Sequence, residues 1–125
     1  MKLNIDCIRD IMIVIEDLDF KQSINIDRLC ECLPNYSEDE LHYTSLKLYE
    51  AGFIDAIVIS IMSVPGEMIK CINELTYNGH VFLDNIRNDN VFAETKSRIA
   101  KAVGSASIDV IAQVAVSVLR SKLGI

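Results

Sequence analysis

Four cysteines and two histidines are the residues of this chain best suited to chemistry at neutral pH. Cys30 and Cys32 form a Cys-x-Cys pair, with Cys7 and Cys71 elsewhere. A structural zinc centre needs two ligand pairs at defined spacing. Here there is one pair, and at about 100° per residue on a helix its side chains point roughly 200° apart. The spacing reads as a small core hydrophobe beside an exposed thiol, not as a metal site. Nucleophilic thiol chemistry would require Cys30 or Cys71 next to His42 or His80. No nucleophile motif, glycine-rich phosphate loop or clustered carboxylate pair accompanies them. His80 follows Gly79 near a helix start and reads as a structural or surface histidine. The acidic residues are scattered singly along helix faces, as on a solvated surface. The expectation is a protein without catalytic residues, metal or cofactor.

Charge bears on nucleic acid. The chain holds 12 Lys/Arg against 18 Asp/Glu, net −6. Residues 1–89 hold 7 against 16, or −9, and residues 90–125 hold 5 against 2, or +3. Ser37-Glu38-Asp39-Glu40 is a capping box that starts a helix through Tyr49. On that helix Glu38, Asp39, His42, Tyr43, Ser45 and Lys47 are the candidate residues facing a partner or DNA. Residues 38–50 nonetheless carry four carboxylates against Lys47 alone, −3. Groove binding rests on cations that neutralise phosphates. Nucleic acid is therefore disfavoured as the partner.

Self-association is the third chemistry in view. From Ala106 to Leu119 the one ionised residue is Asp109. Ile108, Ile111, Ala112, Val114, Ala115, Val118 and Leu119 form a broad apolar surface on a helix from about Ile108 to Lys122. A helix apolar over that much of its circumference is buried on more than one side. These seven residues are the expected interface of a homo-oligomer, most simply a dimer. A membrane surface would call for aromatic anchors, and none lies beyond Phe92.

The elements that must position these residues follow from pattern and punctuation. Asn4 caps a first helix to about Asp17, with Ile5, Ile8, Ile11, Met12 and Ile15 on one face. Asp17–Ser23 is a loop, with Phe20 folded back onto the core. Asn25 or Asp27 opens a short helix that turns Leu29 and Leu33 inward and ends before Pro34. The capped helix ends at Gly52 in a left-handed stop. Phe53–Ile61 is β-branched and reads as a strand. Val64-Pro65-Gly66-Glu67 is a type II turn, and Met68–Leu75 returns as the second strand. Thr76 caps a helix to about Asn88, and Gly79 inside it lets that helix sit close against the hairpin. Asn88-Asp89-Asn90 is a break, followed by a helix from about Val91 to Val103. Half of the residues are hydrophobic, with no Trp and 6% aromatics, so the core is aliphatic. The apolar run Ile11–Ile15 is too short for a signal peptide, and no stretch reaches the roughly 20 residues of a membrane span. The chain reads as cytoplasmic, with reduced thiols.

Helix, helix, capped helix, hairpin, helix is the order of a winged helix-turn-helix. The segments Leu48-Tyr49-Glu50-Ala51-Gly52-Phe53-Ile54 and Leu75-Thr76-Tyr77-Asn78-Gly79-His80-Val81-Phe82-Leu83 resemble those flanking the wing in such proteins. The expected fold is mainly α (α+β): a winged-helix domain over residues 1–89 with a two-stranded wing, then a C-terminal helical oligomerisation segment over 90–125. Asp6-Cys7-Ile8-Arg9-Asp10-Ile11, Tyr36-Ser37-Glu38, Leu75–Arg87 and the break at Gly104-Ser105 resemble a family of short bacterial and prophage proteins, a domain of unknown function (number twenty-five thirteen). That resemblance implies a phage or prophage origin and carries over no catalytic residues. The expected function is a non-enzymatic protein-interaction module that inhibits or modulates a host protein, an acidic surface being able to compete with nucleic acid for a basic site. A dimeric winged-helix transcriptional regulator is the alternative.

Overall fold

A computed structural model describes residues 1–125. The chain folds as α1 (Ile5–Glu16), α2 (Ile26–Cys32), α3 (Glu38–Glu50), β1 (Ile54–Ser60), β2 (Glu67–Leu75), α4 (Tyr77–Ile86), α5 (Asp89–Ala102) and α6 (Ile108–Leu123). The architecture is mixed α+β: six helices and one antiparallel two-stranded sheet. None of the helices is long and apolar enough to cross a membrane.

Every helix begins on a side chain that accepts from its first turn. Asn4 caps α1, Asn25 caps α2, Ser37 caps α3, Thr76 caps α4, Asn88 caps α5 and Ser107 caps α6. Such caps satisfy amides that have no intrahelical partner. At α3 the Ser37 Oγ accepts from the Glu40 N–H at 3.1 Å. Glu40 does not return the bond, so only half of the expected box forms. The expected break at Asn88-Asp89-Asn90 is the cap and first turn of α5.

The hairpin shows why period alone misreads β2. Ile54 pairs with Leu75, Ala56 with Ile72 and Val58 with Ile69, and these face the core. Asp55 pairs with Glu74, Ile57 with Cys71 and Ile59 with Met68, and these face away. β1 alternates without interruption. β2 carries two extra residues, Lys70 and Asn73, at the two register shifts. Its core residues Ile69, Ile72 and Leu75 are therefore three apart, a spacing that only bulges allow in a strand. At the tip the hydrogen-bonded turn spans residues 61–64, the Val64 amide donating to the Ile61 carbonyl at 3.1 Å. Of the turn expected at residues 64–67, the left-handed Gly66 (φ +84°) is present without a closing hydrogen bond.

The base of the hairpin is tied to α3 and α4 through Thr76. Its hydroxyl donates to the Gly52 carbonyl at 2.6 Å and accepts from the Gly79 amide at 3.1 Å. Gly79 lies against the backbone of Phe53. A Cβ there would stand 1.9 Å from the Phe53 carbonyl oxygen. Close helix–hairpin packing is thus the reason for a glycine inside α4.

One apolar cluster runs through the whole chain. It joins Cys7, Ile8, Ile11 and Met12 of α1 with Leu41 and Leu48 of α3, Ile72 of β2 and Leu83 of α4. Phe92 and Ile99 of α5 and Ile108, Ile111 and Ala115 of α6 belong to it as well. Burial drives the Cys7 thiol up to about 11 from its ordinary 9.0, because desolvation disfavours the thiolate. Tyr36 closes the α1–α2 side by donating to Asp10 at 2.6 Å. Burial, assisted by that carboxylate, pushes the phenol up.

The loop before α2 corrects one expectation. Phe20 is 81% exposed and does not fold back onto the core. It sits at the tip of a tight turn in which the Gln22 amide donates to the Asp19 carbonyl at 2.9 Å. The Asp19 amide in turn donates to the Gln22 side chain at 3.0 Å. Lys21 completes the turn at φ +71°, a left-handed conformation unusual outside glycine.

Candidate functional site

The six residues of α3 singled out from sequence do not share one open face. Ser45 is fully buried, and its hydroxyl has no hydrogen-bond partner. His42 is turned to the hairpin, where its Nε2 accepts the Ile69 amide at 2.9 Å. That bond requires a neutral ring with the proton on Nδ1. It also occupies an amide that the bulge at Lys70 leaves without a strand partner. Lys47 is paired with Glu50 at 2.8 Å and lies over the Tyr43 ring, and the hydrogen bond to Glu50 raises its ammonium pKa. Glu38 and Asp39 alone among the six are freely exposed. The open part of α3 is acidic.

The seven residues of α6 singled out from sequence divide in a different way. Ile108, Ile111, Ala115 and Val118 have 0–4% of their surface exposed and are covered within the chain, where α6 lies against α5 and α4. Ala112, Val114 and Leu119 are half-buried. The broad apolar circumference is thus largely satisfied inside one chain.

The attachment of α5 and the end of α4 to α1 includes polar contacts the sequence did not signal. Arg9 on α1 donates to the Arg87 carbonyl and to Asp89, both at 2.7 Å. Its guanidinium lies 4.5 Å from the Phe92 ring centroid. Lys96 covers the same ring and pairs with Asp6 at 2.8 Å. Two cations thus lie within cation–π range of the Phe92 ring. Arg87 binds Glu16 through two parallel hydrogen bonds and also reaches Asp84. The pairing with Glu16 raises the guanidinium pKa and holds the Glu16 carboxyl below its ordinary range.

The cysteines and histidines are dispersed through the fold. Cys7 lies in the core, Cys30 is half-buried and Cys32 is exposed. Cys71 is on the outer face of β2, 3.7 Å from the Asn73 side chain. His80 is exposed on α4. A cleft between the ends of α1 and α2 is lined by Val14, Leu18, Ile24, Arg28 and Cys32. Its one cation, Arg28, is engaged with Glu31 at 2.7 Å.

The surface left over by this accounting is the hairpin. Ile57, Ile59 and Ile61 are 47%, 39% and 41% exposed, and at the tip Met62 is fully exposed and Val64 is 42% exposed. Met68 and Cys71 flank the row from β2, half-buried. Carboxylates bound the patch, Asp55 and Glu74 at its base and Glu67 near its tip. Scattered apolar residues are normal on a surface, whereas a contiguous apolar patch within a charged surface marks a contact site. Both faces of β1 are apolar in sequence, so pattern alone could not say which parity is exposed.

The proteins grouped under the description "Hypothetical protein (DUF2513)" match residues 2–106 of the chain. A protein of Haemophilus influenzae described as uncharacterized is 32% identical over 123 residues, covering 98% of this chain and 99% of its own length. No solved structure matches the chain significantly.

Proposed function

The chain belongs to the family described as hypothetical protein (DUF2513), and from that premise we propose that it is a non-enzymatic protein-interaction module. In this reading residues 1–89 are a winged-helix scaffold, the hairpin being the wing. The order of three helices, hairpin and helix supports that assignment, as does the capped α3 packed directly before the hairpin. The partner is a protein, and the hairpin is the surface that meets it.

The observation that carries the proposal is the apolar row on β1. Full burial of an exposed isoleucine is worth about 1.5–3 kcal/mol, so covering the 39–47% left open on each of the three is worth roughly 0.6–1.4 kcal/mol apiece, and they stand together beside an exposed methionine and valine. Around them the first 89 residues carry −9. An apolar anchor within an acidic rim suits a partner with an apolar cleft and basic surroundings, such as a host protein whose basic site otherwise meets nucleic acid.

A dimeric DNA-binding regulator is the rival reading, favoured by the same helix order. Two features of α3 weigh against it: Glu38 and Asp39 are open to solvent, while His42 and Lys47 are engaged within the chain.

Affinity capture from the native host, with wild-type protein beside the Ile57→Lys/Ile59→Lys variant, separates the readings. A protein retained by wild type and lost with the folded variant is the expected result. Capture of DNA instead, or a shift of duplex DNA at about 50 mM salt that weakens steeply as salt rises, would sink the proposal.

A further inference from the structure

The hairpin has two outer edges, and they are treated differently. The outer edge of β2 is interrupted by the extra residues Lys70 and Asn73. Ile24 bridges it at Ile72 through two backbone hydrogen bonds of 2.9 and 2.7 Å, and His42 takes its Ile69 amide. The outer edge of β1 has no strand beside it, no bulge and no proline. From Ala56 to Gly66 there is no ionised side chain. Natural sheets guard open edges with charges, prolines, bulges or covering segments. β2 is bulged, charged and partly covered, whereas β1 has one charge, Asp55 at its start, and none of these devices beyond it.

We infer that β1 is the seam of a symmetric dimer. Two copies pair antiparallel along their β1 edges about a two-fold axis at Val58, making a four-stranded sheet in the order β2, β1, β1, β2. The inference rests on reading the hairpin as the interaction surface, and it names a second copy of this chain as an occupant.

Register and charge argue for a second copy. Pairing centred on Val58 sets Ile57 of one copy against Ile59 of the other, on the face where both are exposed. Val58 meets Val58, and Ala56 meets Ser60. Directly opposed β-branched pairs of this kind are the favourable unit of sheet association. The nearest ionised residue on the strand is Asp55. In this register each Asp55 faces Ile61 of the other copy, so the two carboxylates stand six positions apart, about 20 Å at ~3.4 Å per residue. That exceeds the ~8 Å screening length at physiological salt. Two chains of net −6 thus approach along this line without opposed charges. A single-strand seam is small beside the roughly 1,600 Å² of a standard interface, which places the association in the micromolar range.

Sedimentation equilibrium over roughly 5–500 µM, where a micromolar constant is populated, tests this. Wild-type mass should rise toward that of two chains. Ile59→Lys, on the seam, should stay at one chain with an unchanged far-UV spectrum, while Leu119→Lys on α6 should still dimerise. Should Ile59→Lys fail to fold, exchange of the wild-type Ala56, Val58 and Ser60 amides, which point away from β2, is read instead: protection that grows with concentration supports the seam. A single-chain mass throughout, a dimer that survives Ile59→Lys, or β1 exchange independent of concentration overturns it. A strictly monomeric protein that still captures a host protein through the hairpin overturns the seam and leaves the interaction-module reading standing.

Discussion

Gly79 shows how much one residue type can say. Inside a helical pattern it costs about 1 kcal/mol in propensity, so its presence asks for a packing reason, and the Phe53 carbonyl supplies one. Gly79→Ala should lower stability by about 3 kcal/mol or more, since the clash is backbone against Cβ and outweighs the propensity gain; the midpoint of urea unfolding measures it. An unchanged midpoint would mean that α4 does not seat against the hairpin as described. Cap residues are legible for the same reason: Asn4, Asn25, Ser37 and Thr76 serve the backbone within a few positions of themselves. Ser45, His42 and Phe20 are not legible, because their surroundings come from elsewhere in the chain. A serine on a helix reads as polar surface until the core closes over it. A phenylalanine in a loop reads as buried until the turn holds it outward.

Among the elements, the helices were readable to within a residue or two, and the hairpin was readable as a pair of strands. Which face of the hairpin lies inward was not, because β2 departs from period two. Its tie to α3 was also out of reach, since it runs between a side chain and a backbone amide 27 positions away. His42→Leu removes the acceptor from the half-buried Ile69 amide, at a cost of about 1–2 kcal/mol. The expected signature is faster exchange at the Ile69 amide with the α1 amides unaffected. Uniform acceleration across the chain would instead make His42 part of the global core. The clamp of α5 onto α1 belongs to this scale too: Arg9, Lys96 and Asp6 look like solvated charges until Phe92 comes within reach of both cations.

Taken as a molecule, the chain spends its apolar surface in two places. Most is consumed internally, including the inward side of α6, where sequence alone suggested a contact between chains. The apolar breadth of that helix was legible; the destination of its residues was not, because both α4 and α5 pack against it and only the assembled fold shows their reach. Val118→Asp puts a carboxylate at a fully buried position. A buried, unpaired charge of that kind costs about 3–5 kcal/mol. Helical ellipticity and the near-UV dichroism of the four tyrosines should be lost together in one transition of lowered midpoint. A variant that melts like wild type and differs only in association would show that α6 is an assembly face after all.

The two extra residues of β2 also set where the chain can change length. Removing Lys70 leaves Ile69 facing inward and Cys71 facing outward, since the bulge residue has no partner of its own on β1; the same holds for Asn73. Removing Cys71 in place of Lys70, or Glu74 in place of Asn73, keeps the same alternation, whereas removing a residue elsewhere in either strand inverts the parity of what lies beyond it and carries core side chains to the solvent. β2 therefore holds two positions of slack in an otherwise inflexible count, and shortened relatives should place their gaps there. Such a relative would keep its core and lose twist, so the angle at which the hairpin leaves the helices can vary without the hydrophobic interior being rewritten.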